Sequence, residues 1–456
     1  MRADTTPLRE RPCKPYQATA SRAPRPGHAN EVFHVKQPDL RTPHALDSPL
    51  GKLRIALKRL RKVHRLRRRG LALVVLLLAV PVIAACDVAD QPDGWAAPTP
   101  DPVEPETRLL APTGDDSVVA VELLDGNLGA AAWQFPDDDG RFPGLDAEIE
   151  PVAFYADPIW VPETDEWLLA GYSDGVLYAV QRDGESARVV FDTEARIVAD
   201  LIVQGTTVYV ADTGYQVHAV DIEQPGASVW TWSGDSDLQI WGGPALVETE
   251  RGRLLVVAGL DGRVTALHLD GEAAGSEAWH LVIEAGIAGS VVAADGIVYI
   301  GGLDRVFYGL DAATGAQVWT AEASHWIWGT PLIRDGVIYM TDLRGNVYAL
   351  DAMTGASRWL QPFAADDRIR AQPLFVEFDD EEADGGILVI VARGGMIFQL
   401  NAADGTLLRQ FRLEKAKDLM ANALLRDDRV LVGDEDGVLY AVLLGANSAV
   451  RLYPPN

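Results

Sequence analysis

The chain has 456 residues, with 40 Lys+Arg against 66 Asp+Glu, two cysteines and a formal charge of −26. The charge is divided: residues 1–86 hold 18 basic and 5 acidic side chains, a net of +13, and the remainder holds 22 and 61, a net of −39. So acidic a body repels phosphate backbones, which excludes nucleic-acid binding, and with Cys13 and Cys86 both in the basic segment a disulfide-stapled fold is excluded too.

Residues 1–50, rich in Pro, Arg, Thr and Ala without apolar periodicity, read as a disordered tail. A dense cationic stretch follows (Lys52 to Arg69), then LALVVLLLAVPVIAA at 71–85. These 15 uncharged residues are fewer than the roughly 20 a spanning helix needs. A positive region before a short apolar run fits a secretory signal. The run closes on Ile83-Ala84-Ala85-Cys86, which resembles the lipobox of bacterial lipoproteins. That resemblance implies cleavage before Cys86, lipid on its sulfur, and anchoring in the cell envelope. Small residues give a membrane-embedded peptidase access to the backbone, and a thiol beside the bilayer can accept the lipid. The long leader ahead of the apolar run points to a misassigned start or an extra cytoplasmic tail. Residues 87–107, rich in Pro and Asp, read as a stiff tether.

From residue 108 to 456 the chain repeats itself. Gly345-Asn346-Val347-Tyr348-Ala349-Leu350-Asp351-Ala352-Met353-Thr354-Gly355, ending at Trp359, has a close copy in DRVFYGLDAATGAQVW from Asp304 and a looser one in GGMIFQLNAADGTLLRQF from Gly394. Weaker copies bring the total to eight. A second column, such as IWGGPAL from Ile240, IWGTPLI from Ile327 and IRAQPLF from Ile369, occurs seven times. Short Val/Ile/Tyr-rich strands between Asp-Gly and Thr-Gly turns predict four-stranded antiparallel meanders repeated around an axis, an all-β propeller. Eight third-strand copies favour eight blades, the first built of three strands. Seven first-strand copies support the alternative, seven blades and an N-terminal extension.

The motif Gly-x-Val-Tyr-Ala-Leu-Asp-Ala-x-Thr-Gly-x-x-x-Trp resembles the PQQ-like (quinoprotein-type) propeller repeat. The resemblance implies that Trp133, Trp230, Trp279, Trp319 and Trp359 pack between blades, with Phe411 substituting in one copy. It also raises a quinoprotein alcohol or sugar dehydrogenase as the alternative function. The body lacks that class's vicinal cysteines, and no calcium triad can be placed, so no cofactor, metal or catalytic residue is assigned. Gly-x-Ser-x-Gly, His-Glu-x-x-His and P-loop motifs are absent. His218, His268, His280 and His325 fall in different repeats without ligand spacing. His218 stands in the Tyr column. The acidic loop at 377–386 lacks EF-hand spacing and reads as a solvated loop rather than a Ca²⁺ site.

The second column carries the candidate binding surface. The residue after its leading apolar position is Tyr155, Val198, Trp241, Ala288, Trp328, Arg370 or Met420, and two residues further on stand Asp157, Asp200, Gly243, Ser290, Thr330, Gln372 and Asn422. Innermost strands line a propeller's funnel, so these residues should ring its mouth. Tyr155, Trp241, Trp326, Trp328 and Arg370 are the expected partner-binding residues, since aromatic residues and Arg are enriched at interfaces. The alternative is that these Trp residues pack under loops. The expectation is therefore a lipid-anchored, non-enzymatic scaffold that binds envelope proteins or peptides. It is similar to the propeller lipoprotein of the outer-membrane β-barrel assembly machinery. Asp87 after the lipid cysteine favours the outer face of the cytoplasmic membrane in a two-membrane cell.

Overall fold

The computed structural model describes residues 96–105, 107–113, 116–124, 127–137, 139–145, 152–377, 385–444 and 449–453. Cys86 with its signal segment, and most of the acidic loop (378–384), lie outside the described residues. Eight four-stranded antiparallel sheets follow one another, each from consecutive strands, over 99–135, 159–192, 202–233, 245–282, 292–322, 332–364, 374–412 and 424–453. They are the eight blades of a β-propeller, numbered 1 to 8 in that order.

Blade 5 shows why the sequence takes this form. Its strands are Val292–Ala294, Ile297–Gly301, Val306–Asp311 and Gln317–Glu322, innermost first. Along the second strand, Val298 and Ile300 enter the apolar layer shared with blade 4, while Ile297 and Tyr299 enter the layer shared with blade 6. Side chains alternate between two buried faces, so the strand is apolar throughout instead of alternating with polar residues. In blade 6 the Asp335-Gly336 turn, both residues at positive φ (50° and 71°), links the inner strand pair as Asp-Gly hairpins do.

Tryptophans on the outermost strands, and in blade 6 on the bend before that strand, lock neighbouring blades together. Nε1 of Trp279, Trp319 and Trp359 donates to the carbonyls of Ala312, Ala352 and Ala402 of the following blade, at 2.9, 2.9 and 3.0 Å. Trp133 does the same to Arg182 at 3.1 Å. Each ring lies flat on a turn glycine of the next blade. A Cβ on Gly355, at φ +69°, would meet the Trp319 ring at 2.5 Å. Trp230, facing Gly275, is only half-buried.

Three expectations require correction. Blade 1 has four strands, not three, because Thr99–Pro100 pairs with Leu109 and Leu110 as its innermost strand. The propeller therefore begins inside the stretch read as tether, and Ala96-Ala97-Pro98 is the eighth copy of Ala156-Asp157-Pro158. Phe411 does not take the Trp position: it pairs with Ile397, and Arg409 stands opposite Gln399, where Trp319 stands opposite Gly309 in blade 5. In blade 2 the Trp position holds Arg188, opposite Ala179. Its NH1 donates to the carbonyl of Ile222 at 2.9 Å, the place Ala312 and Ala352 occupy, while Nε and NH2 clamp Glu166. A planar donor fork thus substitutes for an indole.

Among the described residues, no strand is exchanged between the first and last blades. Leu109, Ala111, Val119 and Val121 of blade 1 pack on Leu431, Leu439, Ala441 and Leu452 of blade 8. An apolar layer between the two blade faces joins them.

Candidate functional site

The segment leading into each innermost strand is fixed by four successive roles. Its first carbonyl accepts an N–H from the turn between the second and third strands. Leu260 donates to Gln239, Leu303 to Gly286, Leu343 to Trp326 and Arg393 to Arg368, all at 2.8–2.9 Å. The next side chain is a buried anchor: Ile240, Ile287, Ile327 and Ile369 are at most 1% exposed. The third position faces the axis. The fourth is Ala or Gly because backbones of adjacent blades converge there. A Cβ on Gly289 would sit 2.5 Å from the Trp328 carbonyl oxygen. Its successor faces the axis again, one tier below.

Two tiers of side chains result, around a central cavity of about 90 Å³. The upper tier is the third-position column. The edge of Trp241 meets Trp328 at a ring-centroid distance of 5.8 Å, although their blades are separated by blade 5. They can meet because blade 5 contributes only Ala288. The Arg370 guanidinium lies over the Trp328 ring at 4.8 Å, with NH1 3.2 Å from the Met420 sulfur. On the other side Trp241 packs with Tyr155 and Val198, and Tyr155 stacks edge-on with Tyr172 at 4.4 Å. The collar runs from Tyr155 through Trp241, Trp328 and Arg370 to Met420.

The lower tier ties blades together. The Ala97 N–H donates to the Asp157 carboxylate, the Asp157 N–H to Asp200 (3.2 Å), the Gly243 N–H to the Ser290 hydroxyl (3.0 Å) and the Gln372 N–H to Asn422 Oδ1 (2.8 Å). Each donor belongs to one blade and each acceptor to the next, so short polar side chains at this position weld the ring. Two of them are acidic and adjacent. Burial and the charge of Asp200 push the Asp157 carboxyl up to about 8, and burial raises Asp200 as well.

Of the five expected partner-binding residues, Tyr155, Trp241, Trp328 and Arg370 line this cavity. Tyr155 is 6% exposed, a packing residue of the collar more than a surface one. Trp326 does not line the cavity; it precedes the anchor Ile327 in the chain, its ring 5.5 Å from that of His325. His218 is buried between Asp212 (3.0 Å) and Thr231 (3.0 Å). It takes the place of the Tyr that reaches the same turn Asp in other blades, as Tyr348 reaches Asp342 at 2.9 Å. Among the described residues no group of three or more His, Cys, Asp or Glu side chains is arranged to hold a metal ion. Sequence reading missed the Asp157–Asp200 pair as a unit. Both residues were in the column, but nothing in a linear pattern marks neighbours across blades.

Fold and site define an eight-bladed propeller with a two-tiered central funnel. Residues 261–367, from the outer half of blade 4 through blade 6, match the family model of the outer membrane protein assembly factor BamB. Among solved structures, BamB from Moraxella catarrhalis is similar with a TM-score of 0.57 and 18% identity over 76% of this chain and 96% of that one. Saccharomyces cerevisiae Sqt1 aligns with a TM-score of 0.60 and 14% identity over 80% and 97% of the respective chains. The computationally designed Ika8 protein gives 0.59 and 16% over 77% and 97%. At these identities the likeness establishes the fold. No curated protein sequence matches the chain.

Proposed function

We propose that this protein is a lipid-anchored, non-catalytic binding propeller of the bacterial cell envelope, held through Cys86 on the outer face of the cytoplasmic membrane, and that it engages protein partners at the funnel mouth. The observation that carries the reading is the collar. Aromatic and Arg side chains, the types that dominate interface energetics, are drawn from separate blades onto one rigid rim. The match of residues 261–367 to the assembly-factor family supports an assembly-type role. The cavity, at about 90 Å³, is below the roughly 300–1,000 Å³ typical of small-molecule clefts.

The decisive experiment is crosslinking in membranes with the double variant Trp241→Ala, Trp328→Ala. Loss of crosslinked partners with an unchanged melting temperature is the expected result. Retained crosslinks in a folded variant would refute the binding face. The anchor is tested separately: Cys86→Ser should abolish palmitate labelling, and continued labelling would refute the lipobox reading.

A further inference from the structure

The floor of the cavity is acidic. Asp157 and Asp200, on adjacent blades, each use Oδ1 to accept a backbone N–H. No cation is among the groups that act on either carboxyl. The charged or titratable side chains lining the cavity are these two carboxylates, Arg370 and the Tyr155 phenol. Arg370 belongs to blade 7, diametrically across an eight-membered ring from blade 3 and Asp200, and its guanidinium is stacked on Trp328. The wall between floor and mouth is aromatic and aliphatic at Trp241, Trp328, Val198, Ala288 and Met420, with Arg370 held against Trp328 on the side of blade 7.

We propose that this cavity receives a primary ammonium group on an alkyl stem, as a lysine side chain of the protein partner presents, with Asp157 and Asp200 as its anionic floor. This rests on the funnel mouth being the partner-binding surface. Three observations converge. Two adjacent carboxylates match the several donors of an ammonium. The Tyr155–Val198–Trp241 side of the collar, away from Arg370, suits a methylene stem and a nearby cation. The narrow cavity admits a slender chain end. The body's net charge of −39 draws basic partners toward it. An ammonium also relieves what burial imposes on the pair. Binding would expel the proton that the raised Asp157 carboxyl retains, so one proton passes to the buffer as the ammonium–carboxylate contact forms.

The test is calorimetry on the full-length protein in detergent, with n-butylammonium and Nα-acetyl-lysine N-methylamide as probes. n-Butanol and Nε-acetylated lysine are the neutral controls and CaCl₂ the competing cation. Expected are saturable binding of both ammonium probes, none of the neutral controls, proton release, and affinity rising at least about tenfold from pH 6.5 to 8.5. Asp157→Asn and Asp200→Asn should each weaken binding by about tenfold or more, the loss expected for a charge-assisted contact. Asn is already native to this tier, where Asn422 accepts the Gln372 N–H, so both variants retain the ring. Absence of ammonium binding, binding unchanged in the Asn variants, or displacement of the ammonium by Ca²⁺ at equal concentration would overturn the assignment. If partner crosslinks survive the Asp157→Asn, Asp200→Asn pair but vanish in Trp241→Ala, Trp328→Ala, the ammonium assignment falls and the binding face stands. If crosslinks survive both, the binding face itself falls.

Discussion

Replacing Trp319 by Ala removes one rivet between blades 5 and 6, and the structure sets the magnitude. The side chain is 7% exposed, lies against the turn at Gly355, packs near Tyr299 at 6.0 Å between ring centroids, and donates to the Ala352 carbonyl at 2.9 Å. A Trp buries roughly 200 Å², worth about 5 kcal/mol at about 25 cal/mol per Å². The measured range for Trp→Ala in cores is about 3–5 kcal/mol, with partial collapse of the site setting the lower end. The lost hydrogen bond leaves a buried carbonyl short of a partner, which keeps the effect within that range instead of below it. The assay is urea denaturation followed by circular dichroism, with Trp319→Phe beside it. Phe keeps much of the area but loses the Nε1 donor, so its cost should be about 1–2 kcal/mol. A loss below about 1 kcal/mol for Trp319→Ala would refute the rivet, because a ring packed on two blades cannot be deleted that cheaply.

Gly355→Ala attacks the same rivet from the other side, combining positive φ with a 2.5 Å clash on Trp319, and should cost about 1–3 kcal/mol in the same titration. Asp157→Asn should flatten the pH dependence of stability. A carboxyl raised in the folded state makes the fold lose stability as pH climbs from about 4 to about 8, and the variant's melting temperature should exceed the native one at pH 8 and not at pH 4. A difference between native and variant melting temperatures that does not change across that window would refute the raised Asp157 carboxyl. Blades 1 and 8, which meet through an apolar layer, should exchange backbone amides sooner than blades 4 to 6, where Trp rivets are continuous. Uniform exchange around the ring would show that the seam is no weaker than the rivets. Tyr348→Phe should cost about 1 kcal/mol by breaking the bond to the fully buried Asp342.

The propeller was legible in the sequence because each blade is a local object. Strand, Asp-Gly turn, strand, Thr-Gly turn and Trp lie within some forty residues and recur at that spacing. The funnel column was legible for the same reason: an anchor, an axis-facing residue and a small residue recur at fixed offsets. The eighth first strand was written there too, in Ala96-Ala97-Pro98. Its copy had drifted into a Pro/Asp-rich context, and composition outweighed the weak repeat.

Relations between blades were not legible. Asp157 and Asp200 lie 43 residues apart, yet share one N–H···O contact and one electrostatic environment. Trp241 and Trp328 touch over a blade that contributes only an alanine, and Arg188 takes an indole's place by reaching a carbonyl 34 residues on. The periodic pattern determines what each blade is, because hydrogen bonding within a meander is local and depends on alternation and turn chemistry. What meets at the axis depends on closing eight blades into one ring. Closure brings single residues of each blade within a few ångströms of one another, and only the tertiary structure could decide that an acidic floor lies beneath an aromatic collar.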